Sequence, residues 1–449
     1  MPTRYIGRAD HSNKIFASII PLLTMHAKMS SIPFALASLG VFSSSRAQDL
    51  PPGVSSPLAA ACGPSGNIVC VDRYASVLPY HFFRASGAAN GTQGPGFEAT
   101  SVPNDTSFGL ISRADFIIYD KKRGLEILGS HPTYDFVFEV SAAVHEAPVW
   151  VPSLNKLFLS QLAPPPGYLP QLVVDLNQDP PTLSEYLSDP AVYAPNGGTF
   201  YDGLIYWGAS GGNNSIGGTE QRTGIRTLDP HTNQTKVLLN NYFGYFFNCV
   251  DDLFVDPADG SVWFTDPQYS WFNKLTDTPP QLKAASYRFD PATGETIVVD
   301  DSLSQPNGIA LSPDGKHVYI SDTGAVSGSV VVHNGSPFNQ TGTRAIYKYD
   351  RTDGGKHITN RRPIFYAYNG VPDGLKVAEN GYVVTGTGSG VDVMDSAGGV
   401  ILRIQANYTV QNFAWVGPNL TEFWMIGQGG ISRVRWDLKG QDLAKVKSL

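Results

Sequence analysis

Short apolar runs separated by tight-turn residues dominate the chain, and one arrangement of them recurs. In "SQPNGIALSPDGKHVYISDTG" a polar Pro-Asn-Gly leads into an apolar strand, a Pro-Asp-Gly turn and a second apolar strand ending Ser-Asp-Thr. "CVDDLFVDPADGSVWFTDPQY" has the same order, with its turn at Asp259-Gly260. "VPDGLKVAENGYVVTGTGSG" turns at Asn380-Gly381, and "PNGGTFYDGLIYWGASGG" at Asp202-Gly203. Weaker copies are "HEAPVWVPSLNKLFLSQL", turning near Leu154-Asn155, and "QNFAWVGPNLTEFWMIGQ", turning near Pro418-Asn419. Asp-Gly and Asn-Gly supply the positive φ that two-residue hairpin turns demand. No convincing 3.6-residue amphipathic pattern competes with this reading.

The six turns are spaced by about 40 to 65 residues, a period that with all-strand content signals a propeller. The expected fold is therefore all-β, a six-bladed β-propeller of four-stranded antiparallel blades; a stack of separate sandwiches is the alternative. "DFIIYD", "TGIRTLD", "ASYRFD", "AIYKYD" and "ISRVRWDL" fit as further strands. A strand from before residue 140 is expected to join the last blade, because an open ring leaves unpaired edges. Residues 48–449 read as one domain, with 48–100 an irregular N-terminal arm.

A polar side chain precedes the first strand of every copy by a near-constant distance: Glu146, Asn196, Asp251, Asn307, Asp373 and Asn412. In a propeller the first strand of each blade lines the central channel, so these six positions converge on the axis. Any one Asn or Asp of this kind is explained by turn capping. Glu146 is a poor turn-former, and its charge near a channel needs a partner. A ring of oxygen-bearing side chains suits a hard cation, and Ca²⁺ takes about six to eight oxygen ligands. One divalent metal in the channel, Ca²⁺ by preference, is the expected cofactor.

The 449 residues carry 42% hydrophobic and only 16% charged side chains, which supports a buried core. A net charge of −7 without a basic stripe argues against nucleic acid as a partner. The apolar run Ile32–Phe42, with Lys28 before it and Ser45-Arg46-Ala47 after it, reads as a signal peptide within an extension, 1–47. It is too short to span a bilayer, so a secreted protein with no membrane partner is expected. Asn-x-Ser/Thr sequons at Asn90, Asn104, Asn213, Asn233, Asn334, Asn339, Asn407 and Asn419 agree with secretion and predict glycosylation. Cys62 and Cys70 are close enough in sequence for a disulfide, leaving Cys249 as a small buried hydrophobe.

"SQPNGIALSPDGKHVYISDTG" and "DDLFVDPADGSVWFTDPQY" resemble the gluconolactonase, regucalcin and senescence-marker family, and within it the secreted fungal lactonohydrolases. The resemblance spans roughly 100–435. It implies a six-bladed propeller with one divalent metal, usually Ca²⁺, and hydrolysis of sugar-acid lactones. By motif it places metal ligands at Glu146 of "E-x-P-V-W", Asn307 of "P-N-G" and Asp373 of "P-D-G". A further site Asn of that family is replaced by Asp251. The implied chemistry is attack on a metal-polarised lactone carbonyl by water that Asp373 or Asp251 deprotonates. Asn196, Tyr269, Trp271 and His145 are candidate substrate contacts. Alternatives are an arylesterase- or phosphotriesterase-like hydrolase, a non-catalytic ligand-binding propeller, and a serine esterase built on Gly208-Ala209-Ser210-Gly211-Gly212.

Overall fold

The computed structural model describes residues 57–79, 81–85, 91–165, 167–331 and 335–443. The expected signal segment, and the sequons Asn90 and Asn334, lie outside the described residues. The turn residues adopt the left-handed conformation that their chemistry favours: φ is +48° at Asn155, +47° at Asp202, +73° at Gly260, +70° at Gly315 and +87° at Gly381. In the last copy the left-handed positions are Gly417 and Leu420, flanking Pro418-Asn419.

Each hairpin forms the inner part of an antiparallel sheet. The inner strands are Val149–Val151, Pro195–Tyr201, Leu253–Val255, Pro306–Leu311, Pro372–Val377 and Thr409–Val416. Each packs against the next, and the last returns to the first. That closed circuit is a β-propeller. Thr133–Glu139 pairs with Gly430–Arg435, so the final sheet draws strands from both ends of the domain and its edge is covered.

The expectation of four strands in every blade is corrected at one sheet. Five of the sheets have four strands, but the one containing Pro372–Val377 has seven. Phe116–Ile118, Ile68–Val71 and Ala59–Ala61 extend it outward, and Ile68–Val71 runs parallel to Phe116–Ile118. Part of the supposedly irregular arm is therefore regular. Its strands of three or four residues are too short to show a period-two pattern, but burial of Ile68, Val69, Phe116 and Ile117 holds them. The Cys62–Cys70 disulfide lies at this outer edge.

The cores lie between neighbouring sheets, where Trp207, Trp263 and Trp424 are fully buried. A cavity of about 860 Å³ occupies the channel; its wall includes Val149, Gly198, Leu253, Ile309, Leu375 and Ala414. Most of these lie two residues beyond a predicted ring position, which puts the ring at one end of the cavity. Among the described residues no helix is long and apolar enough to cross a membrane.

Candidate functional site

Inner strands leave their ladders where the ring residues sit. The register slips between Pro306 and Ile309, setting Asn307 and Gly308 opposite Ser321. It slips again between Pro372 and Leu375, setting Asp373 and Gly374 opposite Gly386, and at Asn196 between Pro195 and Gly197. A further irregularity adjoins Asn412. Such bulges re-aim a side chain out of the sheet alternation. Glycine follows three ring residues for a steric reason. A Cβ on Gly374 would lie 2.4 Å from Asn412 Cγ, one on Gly308 2.6 Å from the Asp373 carbonyl oxygen, and one on Gly197 2.2 Å from that of Asp251. Asn412, Asp373 and Asp251 thus each pack on the glycine of the preceding blade. Ala147, after Glu146, holds φ +54° without being glycine, a strained conformation beside the site.

The six side chains are brought together. Glu146, Asn196, Asp251, Asn307 and Asn412 are buried, whereas solvent reaches part of Asp373. The Asn196 amide donates to Asp251 Oδ1. Desolvation raises the Glu146 pKa well above the carboxylate range; the charges of Asp373 and Asp251 add to the rise, and a hydrogen bond with Asn412 opposes it. Asp251 is raised by burial and then by Asp373 and Asp252. Burial pushes Asp373 up to about 7, against hydrogen bonding with Asn307 and Glu146.

Glu146 Oε2, Asp251 Oδ2 and Asp252 Oδ2 are buried with no protein partner. Orphaned carboxylate oxygens are costly unless a cation or proton compensates them. Among the described residues no group of three or more Asp, Glu, His or Cys side chains stands at metal-ligand spacing. The donor set here is a mixture of carboxylates and amides. An all-oxygen set with two orphaned acid oxygens fits a hard divalent cation and not a soft one.

His145 stands behind Glu146, with Nδ1 3.9 Å from Oε1. Burial lowers its pKa to about 4, so the ring is neutral at physiological pH. The Tyr269 hydroxyl bonds to Thr323, and its titration is raised by burial and, to a smaller extent, by the charges of Asp373 and Asp251. Trp271 lies on the same short helix, Tyr269–Phe272. It lines a narrow cleft with Arg222, Phe246 and Phe247. Ser210 is no nucleophile: it is fully buried, and its hydroxyl donates to the Cys249 and Val250 carbonyls. Cys249 is buried and free, as read from the sequence. The loop after Ser210 is also more regular than expected, since Asn213–Ile216 pairs with Thr219–Gln221. Asn104, Asn233, Asn339, Asn407 and Asn419 are exposed, and Asn213 is half-buried.

Sequence reasoning missed Asp252, which accepts from Leu253 N at 2.9 Å and feels the Lys376 charge. The available signal was its place in the repeat, where three other ring residues are followed by glycine. It also missed the dipeptides Thr265-Asp266 and Ser321-Asp322, visible only as recurring strand endings.

Residues 219–427 match the family described as SMP-30/Gluconolactonase/LRE-like region. The chain is 43% identical to the lactonohydrolase oryL of Aspergillus oryzae over 379 residues, covering 83% of this chain and 86% of that protein. It is 28% identical to a gluconolactonase of Zymomonas mobilis, covering 62% of this chain and 76% of that one. A solved gluconolactonase structure from Xanthomonas campestris superposes with a TM-score of 0.57 at 23% identity, covering 71% of this chain and 93% of that one, and shares the fold. The chain belongs to the SMP-30/gluconolactonase family of hydrolases.

Proposed function

We propose that this protein is a metal-dependent lactonase that opens sugar-acid or related lactones with water. The observation that carries the reading is the ring itself: three carboxylates and three amides, each within or just before one of six inner strands, come together at one channel end. Within it, Glu146 and Asp251 hold orphaned oxygens, and Asp373 alone among the carboxylates is reached by solvent. Glu146, Asp251, Asn307 and Asp373 would hold a divalent cation, Ca²⁺ by donor preference, which when bound polarises the lactone carbonyl and stabilises its oxyanion.

The remaining chemistry belongs to the chain. Asp373, at the solvent side, accepts a proton from the water as its oxygen bonds to the carbonyl carbon. Collapse breaks the bond from that carbon to the ring oxygen, and Asp373 returns the proton to the departing alkoxide. The product is the open hydroxy acid, and no covalent enzyme intermediate forms. Asn196 orients Asp251 through its amide. The Tyr269 hydroxyl and the neutral His145 can hold substrate hydroxyls. The apolar run Ile32–Phe42, the exposed sequon asparagines and the disulfide support a secreted glycoprotein.

The test is proton release in a pH-stat across sugar 1,4- and 1,5-lactones and aromatic lactones, with and without chelator and Ca²⁺ add-back. Hydrolysis is expected to stop with chelator, return with the cation, and be lost in Glu146→Gln, Asn307→Ala and Asp373→Asn. Undiminished hydrolysis in all three variants would remove the site assignment.

A further inference from the structure

The bulges that aim the ring residues inward create a backbone problem. A residue bulged out of its ladder leaves its carbonyl without a partner in its own sheet, and a buried carbonyl needs one. At two blades the partner comes from the sheet before. The Thr265 hydroxyl, at the end of strand Val262–Asp266, donates to the Asn307 carbonyl at 2.5 Å. The Ser321 hydroxyl, near the end of strand His317–Asp322, donates to the Asp373 carbonyl at 3.0 Å.

The residue after each hydroxyl works in the opposite direction. Asp266 accepts backbone N–H bonds from Asn248 (3.0 Å), Cys249 (2.7 Å) and Val250 (3.1 Å), the segment leading into Asp251 of its own blade. Asp322 accepts from Ser304 and Gln305, both at 2.9 Å, the segment leading into Asn307. All four residues are buried. Each Ser/Thr-Asp dipeptide therefore ties one blade's ring residue to the next: Asp251 to Asn307 through Thr265-Asp266, and Asn307 to Asp373 through Ser321-Asp322.

We propose that Thr265-Asp266 and Ser321-Asp322 are positioning residues that fix the spacing of three consecutive oxygen ligands and so set the affinity of the ring for its cation. This rests on the metal reading above. Their hydroxyls touch neither cation nor substrate; they act on the peptide groups from which Asn307 and Asp373 project. Partners of this kind change metal affinity by about 10- to 100-fold when removed.

The test measures Ca²⁺ affinity by isothermal titration calorimetry on the metal-free full chain, alongside its thermal midpoint. Thr265→Val and Ser321→Ala are expected to weaken binding at least about tenfold, and Thr265→Ser and Ser321→Thr to restore it. The control is Ser432→Ala, which removes a buried hydroxyl bonded to Tyr134 on the last sheet and is expected to keep wild-type affinity. Wild-type affinity in Thr265→Val and Ser321→Ala, or an equal loss in Ser432→Ala, overturns the positioning role while the metal reading stands. Failure of the wild-type chain to bind Ca²⁺, Mg²⁺ or Mn²⁺ overturns the metal reading and this inference with it.

Discussion

Three carboxylates held close in a buried ring make the metal-free protein sensitive to pH in an unusual direction. Asp373 provides the magnitude. Burial raises its pKa from 3.8 to about 7, so the folded state retains a proton that the unfolded chain has already released. A carboxyl raised on folding stabilises fully below the unfolded value, and that contribution is lost as pH climbs through the folded value. The full rise of about three units corresponds to about 4 kcal/mol, and the two units between pH 5 and the folded value to about 3 kcal/mol, a ceiling because solvent reaches Asp373; about 1–2 kcal/mol is the working expectation. The assay is urea unfolding, followed by tryptophan fluorescence, of metal-free wild type and Asp373→Asn at pH 5 and pH 8. Wild type should lose stability relative to the variant on going to pH 8. Subtracting the variant removes surface groups of opposite sign, such as Asp350, whose hydrogen bonds to Arg362 and Asn360 hold it at about 2. With saturating Ca²⁺ the ordering should reverse, because the cation favours the ionised carboxylates and gains affinity as they deprotonate. Parallel responses of wild type and variant without metal would refute the argument, as would a relative gain by wild type at pH 8.

Gly374→Ala would drive a methyl into the Asn412 amide, 2.4 Å from its Cγ, and should cost about 1–3 kcal/mol together with lactonase activity. Gly109→Ala, where the added methyl meets nothing within 4 Å, is the control in the same melting and pH-stat assays. Replacing Cys62 and Cys70 by Ser should lower stability by about 2.5 kcal/mol and leave kcat intact, because the bridge lies on the outermost strands. A drop in kcat at full folding would show that this edge communicates with the ring. Tyr269→Phe removes the hydroxyl proposed to hold substrate and should raise KM about fivefold, corresponding to one hydrogen bond of about 1 kcal/mol. Unchanged KM would take Tyr269 out of the substrate site.

What could be read in the sequence was whatever a local rule encodes. Asp202-Gly203, Asp259-Gly260 and Asn380-Gly381 announce their hairpins because few other residues tolerate a positive φ there. Glu146, Asn307 and Asp373 could be aligned because each stands at a fixed distance from such a turn. The outer strands Ala59–Ala61, Ile68–Val71 and Phe116–Ile118 were hidden because strands this short have no usable period, and their pairing is decided by a sheet formed some 300 residues later. The cleft that Trp271 lines with Arg222 and Phe246 was hidden because no pattern of four residues reveals the one-turn helix that carries it. The endings Thr265-Asp266 and Ser321-Asp322 were visible as a repeat, but their purpose depends on bulges in neighbouring strands, and bulges leave no signature in one sequence.

The six ring positions are equivalent by repeat but divide by chemistry. Asn196 commits its amide nitrogen to Asp251, and Asn412 hydrogen-bonds Glu146 from the blade on its other side. Each amide therefore orients a carboxylate of an adjacent blade. Glu146 is also held through its carbonyl, which accepts from the Ser160 backbone N–H and hydroxyl of its own blade, both at 3.0 Å, whereas the Asn307 and Asp373 carbonyls are held by Thr265 and Ser321 of the blade before. The residues whose backbone is pinned in this way are three of the four assigned as ligands, and the fourth, Asp251, is fixed through Asp266 and Asn196. A cation preferring about six to eight oxygens would then find four from side chains and about two to four places left for water and substrate. A ring that spent all six side chains on the metal would be a structural plug. Using two of them as orienting amides leaves the open coordination that hydrolysis needs.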